Sequence, residues 1–569
     1  MFKKDNLIKF GKFLKKRSTF IAGFSIVNLF LFFYSAFVNE LDKRPRGKYI
    51  IILAALYLVA EIVLLYLLYF GKKKNFKPEK ILLMFLIPLG AAHILVTPLD
   101  CIPDELAHIA RASEIANGNI IAQPNENGNN YTAKIPMNAK AGFIDWTNSR
   151  KIYNAIGKHI LKSDDGEIYE HNYANTANYN VVGYIPQAIG LLVGKLIHLP
   201  PLMTYYLGRF FALFAFAALC YFALKIMPKY KEFMLLIMLL PETIQQGASY
   251  SVDAMLNGCA FLTIALVINC IYGKAKNISN KNKALLLISS VILTLFKGVI
   301  YAPILLLNLL IPSQKLGGKK NKAINIAVMA VACVVAGLVG SLLKAAPLTN
   351  TTPTVSSSQT SSAEEDSAKE ELDNKAEKCS DKTETSDDEK EKVDDEAQLP
   401  KKTVESSTNY VKAHPFRTVV VSVGTLIGTN TYGVVESIFG SMLDYNNQEA
   451  PVQIYTYIMV VFVAMLLIRN TEKIKLKKIE KYTYWVIPIV IIMAQYVGAL
   501  IYWSETKNVD ASFISGIQGR YFIPLLALVP FMLHKNGRSE KKPLDTDYIF
   551  LFGIFANMCI LACKFFLFF

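Results

Sequence analysis

The chain has 569 residues, of which 53% are hydrophobic, 12% aromatic and only 19% charged, with a mean hydropathy of +0.31. Charge this sparse cannot cover the several cores that a soluble chain of this length would need, and apolar runs of about 18 to 23 residues recur throughout, each long enough to cross ~30 Å of hydrocarbon as a helix. A soluble enzyme, a disordered protein and a disulfide-built secreted module are excluded, an outer-membrane barrel lacks its alternating strands, and the expected fold is an all-α polytopic integral membrane protein.

The net charge of +16 does not point to nucleic acid. Lys and Arg fall in short clusters between apolar runs, at 3–17, 72–80, 229–231, 274–283, 315–322, 473–481 and 535–542, which is how cytoplasmic loops are marked. The N-terminus is therefore placed in the cytoplasm, and the first apolar run is too long for the core of a cleavable signal. The eight cysteines contain no CxxC pair, so neither a zinc site nor a disulfide framework is expected.

Threading these clusters through a bilayer puts spans at 18–38 and 49–70, with a mildly basic turn between them, and a third at 81–98. A first large outer loop, 99–202, follows. Its apolar part, 181–198, holds Pro186 and Lys195 and is laid on the membrane surface as an interfacial helix, because a crossing there would export Lys229 and Lys231. The next span is 203–227. Two hairpins follow, 233–247 with 254–272 and 284–297 with 299–312, both with outer tips, and 323–345 exits. Residues 349–412 then change character: between 361 and 400 sixteen acids face six lysines, so that stretch carries −10 and the rest of the chain +26. Such a segment cannot bury enough surface to fold alone and reads as a disordered acidic outer insertion. Parity makes 418–440 re-entrant or interfacial, which places a cavity on the outer side. Spans at 452–468, 482–503, 521–534 and 547–567 bring the total to about thirteen. The expected organisation is an N-terminal segment with an extra hairpin (1–80), a core (81–348), the acidic loop (349–412), a re-entrant segment (413–450) and C-terminal helices (451–569).

The strongest chemical signal runs from Pro98 to Arg111, where the third span emerges. Asp104, His108 and Arg111 stand at i, i+4 and i+7, the spacing of one helix face, and Glu105 and His108 are neighbours at i, i+3. A carboxylate there can take a proton from an attacking hydroxyl. Asp104 and Glu105 also follow Pro103 in a first helical turn, where acids cap the backbone; the two roles are compatible. Asp253 and Lys297 lie at outer hairpin tips, and Arg520 opens the span at 521–534. Ionisable groups at such positions are costly unless paired or used. Helix capping for Asp253, snorkelling for Lys297 and boundary anchoring for Arg520 are the plainer readings. Arg209, inside the fourth span, reads as structural and paired with an acid. Two cations and two acids at one depth suit a phosphate or pyrophosphate beside a base.

Pro103-Asp104-Glu105 with His108, Arg111-Ala112 and Gly118 resembles the P-D-E-x-x-H-x-x-R-A signature of a bacterial multi-pass membrane family of unknown function that is grouped with the GT-C-fold glycosyltransferases. Pro241 through Asp253, Lys297-Gly298 with Tyr301 and Pro303, Gly440 through Asp444, and Gln518-Gly519-Arg520-Tyr521-Phe522 with Pro524 match in order. The likeness spans roughly residues 80 to 535, and Ile102 stands where a second proline is usual. It implies a GT-C-like core in a bacterial plasma membrane, with an extracytoplasmic site. A polyprenyl-phosphate-sugar would be the donor and an envelope glycan or teichoic-type polymer the acceptor. By that likeness Asp104 is the base and Glu105 positions it or the acceptor. Lys297 and Arg520 hold the donor phosphate, and His108, Arg111, Asp253, Tyr301, Gln518 and Tyr521 complete the substrate site. No cofactor is required; a divalent cation is compatible with the motifs but not demanded by them. The rival readings are a lipid-linked glycan transporter or flippase, a repeat-unit polymerase, and a scaffold or sensor that works through its acidic loop.

Overall fold

The computed structural model describes residues 4–145, 150–349, 407–428, 431–439, 450–468, 472–502, 514, 516–537 and 544–569. Most of the acidic insertion, residues 350–406, and the Gly440–Asp444 motif therefore lie outside the described residues.

Among the described residues eight helices are long and apolar enough to cross a membrane. They are α1 (Ser18–Val38), α2 (Ile50–Lys73), α3 (Pro78–Val96), α6 (Pro201–Ile226), α8 (Asp253–Tyr272), α10 (Lys319–Leu342), α12 (Lys478–Tyr502) and α13 (Thr546–Phe568). Between α3 and α6 lie α4 (Glu105–Ala116) and α5 (Ile185–Leu196); α7 (Pro241–Gly247), α9 (Asn280–Leu295) and α11 (Thr431–Phe439) complete the numbered set.

Of the expected spans, about thirteen in all, eight are helices of this length among the described residues; others are shorter or broken, and proline is the main reason. The stretch 233–247 is two helices, Lys231–Met238 and α7, divided before Pro241. The stretch 299–312 is a 3₁₀ helix, Gly298–Leu310, with Pro303 inside it. The stretch 521–534 is a 3₁₀ turn followed by two four-residue helices that begin around Pro524 and Pro530. Proline starts a helix readily but removes a donor from its interior and disfavours the helical conformation before it. Residues 418–440 fall in two short helices, Pro415–Ile427 and α11.

The all-α expectation needs one correction. Within the polar segment after α4, β1 (Thr132–Pro136) pairs antiparallel with β2 (Ile168–Asn172). Ala133 and Ile135 alternate inward against Lys134, the period-two pattern of a half-buried strand.

Helix α6 packs against α3, α5 and α8. Helix α13 is buried along nearly all its length and is gripped by the N-terminal hairpin α1–α2. Asn28 donates to the Phe555 carbonyl at 3.1 Å and accepts from the Tyr455 hydroxyl at 2.9 Å. At the ends of these helices Lys72 meets Asp547 at 2.5 Å and Asp545 at 3.8 Å, while Arg17 meets both acids. Lys231 pairs with Glu79 at 3.0 Å and Lys229 with Glu472 at 2.9 Å. The basic clusters thus gather at one end of the bundle, and the polar segment between α3 and α6 occupies the other. After α10 the chain lies over that polar segment: the Ala346 and Thr349 amides donate to the Ala122 and Gly128 carbonyls at 2.9 and 3.0 Å.

Asp547 is 3% exposed and faces two cations, and removing one member of a buried ion cluster strands the others. Asp547→Ala is expected to destabilise the protein by about 3 kcal/mol, read as a lower unfolding midpoint in detergent, with α1–α2 becoming the first region open to protease. Loss of stability without hairpin exposure would show that the cluster does not fasten the hairpin.

Candidate functional site

The site is built from the turn joining α3 to α4. Asp100 and Asp104 both adopt left-handed backbone, with φ of 65° and 64°, which costs an L-residue about 1 kcal/mol and concentrates at functional positions. The side chain of Asp100 accepts from the Leu106 amide at 3.2 Å, and its own amide donates to Glu105 Oε2 at 3.1 Å, a reciprocal cap. Asp100 is therefore the capping acid, and Asp104, which makes no cap bond, stands off the helix. That corrects the expected shared face: α4 begins at Glu105, so Asp104 is not in helical register with His108 and Arg111.

The other two charged residues of the motif turn inward. Glu105 is wholly buried and clamps Arg209 through two bonds of 2.9 and 2.5 Å. Arg209 spends its other donors on the carbonyls of Thr97 at 2.5 Å and Pro98 at 2.8 Å. Glu105 thus fixes from behind the turn that carries Asp104, with both oxygens used against the protein. Arg111 is likewise buried, and donates to the carbonyl of Asn119 at 3.0 Å and to that of Ile120; it closes the chain after α4, where Gly118 has φ of 99°.

The other predicted residues converge. Arg520 donates to the Pro103 carbonyl at 3.2 Å, meets Asp104 at 3.3 Å, and brings Nε to 3.7 Å from Asp253. Lys297 stands 2.6 Å from the other Asp253 oxygen. The Tyr521 ring lies 4.3 Å from the Lys297 ammonium and 5.5 Å from the Arg520 guanidinium. Tyr301 supports this ring from behind, donating to the Tyr521 carbonyl at 2.7 Å and accepting from Gln495 at 2.9 Å. Gln518 is buried and its carbonyl accepts from the Tyr521 amide at 3.2 Å. His108 joins through Nδ1, 2.6 Å from the Tyr184 hydroxyl.

The Arg520 loop has little freedom. The Gly519 amide donates to Ser437 of α11 at 2.7 Å, and a Cβ on Gly519 would fall 2.0 Å from the Val434 carbonyl oxygen. Only glycine allows so close an approach, and α11 thereby sets the position of the guanidinium.

Asp253 is 1% exposed, yet neither its oxygens nor Arg520 Nε makes a hydrogen bond of normal geometry. Their contacts are ionic, so Arg520 Nε keeps directed donor capacity for an anionic ligand, while the Asp253 oxygens, acceptors only, serve to hold the two cations. Asp104 is the wet member, with its side chain 27% exposed. Burial, reinforced by Arg520 and Lys297, pushes His108 down to about 3, so its imidazole is neutral. Among the described residues no group of three His, Cys, Asp or Glu is placed to hold a metal ion.

Sequence reasoning missed Asp100, Tyr179, Tyr184 and Ser437. Asp100 lies in the quoted motif, and its spacing of five to an acid at a helix start was the available signal. The tyrosines come from a loop about seventy residues away, with no local pattern to mark them.

The fold and the site describe a multi-pass membrane protein whose buried charges meet at one end of a helical bundle. Residues 86–529 match the family described as "Predicted membrane protein (DUF2142)", and the chain belongs to that family. No curated protein and no solved structure matches it. The matched stretch contains every residue of the charge cluster and omits the α1–α2 hairpin and α13.

Burial raises Asp100 to about 7 against the pull of Lys140, 3.9 Å away. An unfolded aspartate releases its proton near ~3.9, so the native state binds the extra proton between these values. Stability from this group therefore falls as pH rises from about 4 to about 7 and is level above. Asp100→Asn keeps the cap acceptor and removes the titration. Its unfolding midpoint, relative to the parent, is expected to rise across that window; a constant difference would contradict the assignment.

Proposed function

We propose that the chain is a GT-C-type membrane glycosyltransferase. It moves one sugar from an undecaprenyl-phosphate donor to an envelope glycan or teichoic-type acceptor at the outer face of a bacterial plasma membrane. The observation that supports this most is the convergence of Lys297 and Arg520 on Asp253, with Asp104 3.3 Å from the same guanidinium.

In this reading the donor phosphate enters between Lys297 and Arg520. Both are donors suited to phosphate oxygens, Arg520 with two faces of its fork and Lys297 as a point charge. Asp253 holds the two cations together before the donor arrives. The phosphate then competes with Asp104 for Arg520, and the freed carboxylate is open to the acceptor hydroxyl. The hydroxyl oxygen attacks the anomeric carbon, the bond from that carbon to the phosphate oxygen breaks, its electron pair goes to the phosphate, and Asp104 takes the hydroxyl proton. The phosphate leaves as an anion already neutralised by the two cations, so no general acid is required. One displacement inverts the anomeric centre. Any divalent cation would act on the same phosphate.

The broken helices at 231–247 and 298–310 also favour a second reading, a carrier of lipid-linked glycans. The two part at Asp104. For the enzyme, Asp104→Asn is expected to lower the rate of sugar transfer about 10²–10⁴-fold with donor KM within about threefold, since Lys297 and Arg520 keep the phosphate. The assay is release of undecaprenyl phosphate from a panel of undecaprenyl-phosphate-sugars. A carrier would tolerate the change, and unchanged turnover in the Asn variant would remove Asp104 from the chemistry.

A further inference from the structure

The reading above accounts for the lipid phosphate and the attacking hydroxyl but leaves the transferred ring without a seat. One aromatic side chain at the charge cluster has no task. Tyr179 sits in the loop between a short helix, Ala174–Ala177, and a 3₁₀ turn, Val181–Tyr184. Its ring lies nearly parallel to the His108 imidazole, with 5.8 Å between centroids and 14° between planes. The charges of Asp253, Asp104 and Arg520, and the Tyr521 phenol, all act on its hydroxyl, so the phenol lies within electrostatic reach of the cluster. That hydroxyl has no hydrogen-bond partner among the described residues.

The loop that carries the ring is fastened to α4. The Tyr179 amide donates to the Thr176 carbonyl at 3.0 Å, and the Thr176 hydroxyl donates to the Ala107 carbonyl of α4 at 2.9 Å. Asn180 caps the next turn through the Val182 amide at 3.0 Å. His108 lies offset beside the ring in a near-parallel plane and is itself buried at 4% exposure, fixed by the Tyr184 hydroxyl at 2.6 Å. Tyr179 is only half-buried, so part of its side chain is open to a ligand. An aromatic face carries partial negative charge, which matches the weakly positive C–H face of a sugar ring. A neutral imidazole beside it leaves that polarity intact, where an imidazolium would draw it away.

We propose that Tyr179, flanked by His108, is the platform on which the donor sugar stacks, and that it distinguishes a glycosylated lipid phosphate from the bare one. It is a specificity residue: it touches the ring and takes no part in proton transfer. The inference rests on the glycosyltransferase reading.

The test measures binding by the full-length protein in detergent. The probes are bare undecaprenyl phosphate and a panel of the same lipid carrying glucose, mannose, galactose, N-acetylglucosamine or arabinose. The wild type is expected to bind its best glycosylated lipid at least tenfold more tightly than the bare lipid. Tyr179→Ala should erase that preference while bare-lipid affinity stays within twofold, which also shows that the variant is folded. Tyr179→Phe and Tyr179→Trp should restore it. A preference that persists in Tyr179→Ala, a loss of affinity for both lipids alike, or no sugar preference in the wild type overturns the platform. If the wild type binds no undecaprenyl phosphate at all, the functional reading fails first.

Discussion

The arrangement depends on the cost of burying charge. Arg520 and Lys297 are held at 2% and 10% exposure in an apolar bundle, where an unpaired cation costs several kcal/mol. Asp253, on the first turn of α8, lies between them and offsets both. It pairs with a cation from the middle of the chain and one from its last third, so the loop carrying Arg520 and the break after α9 must close on the same point. A second acid, Asp104, meets Arg520 from the water side. The cluster is close to neutral without a ligand, and in the proposed function a phosphate oxygen gains access by exchange of partners. Two buried cations with no counter-ion would instead repel each other and the fold.

The scaffold behind the cluster follows the same constraint. Glu105 and Arg209 form a fully buried pair that uses nearly every donor and acceptor, and Asp100 completes the cap. Together they hold the turn that presents Asp104 in left-handed backbone. The clamp and the exposed acid are adjacent in sequence, Glu105 and Asp104, yet point to different tasks.

Hydropathy and basic clusters made the membrane class and the long helices legible, because a 3.6-residue helix crossing hydrocarbon leaves a plain record in length and polarity. The broken elements were less legible. A run such as 299–312 is as apolar as a span, and only the backbone shows that it winds as a 3₁₀ helix. Of the site, Asp104, Asp253, Lys297 and Arg520 were readable because ionisable residues stand out beside apolar runs. Glu105 and Arg111 stand out equally and are structural, since their partners, Arg209 and the 119–120 carbonyls, come from outside the motif. Tyr179 and Tyr184 were hidden for the opposite reason: aromatic residues are common here, and which one faces the charges is decided by tertiary contact.

The α1–α2 hairpin lies outside the family match and grips α13, also outside it. The two pack on one another and on the shared bundle, so the chain carries an added flank beside a core that holds the charge cluster. The central claim is that Lys297 and Arg520 jointly receive a lipid phosphate at the end of the bundle away from the basic clusters. A cryo-EM structure of the full-length protein with undecaprenyl phosphate tests it directly. The account predicts phosphate oxygens ~2.7–2.9 Å from both cations, with Asp104 parted from Arg520; a phosphate seated elsewhere, or held while the Asp104–Arg520 pair stays closed, would contradict it.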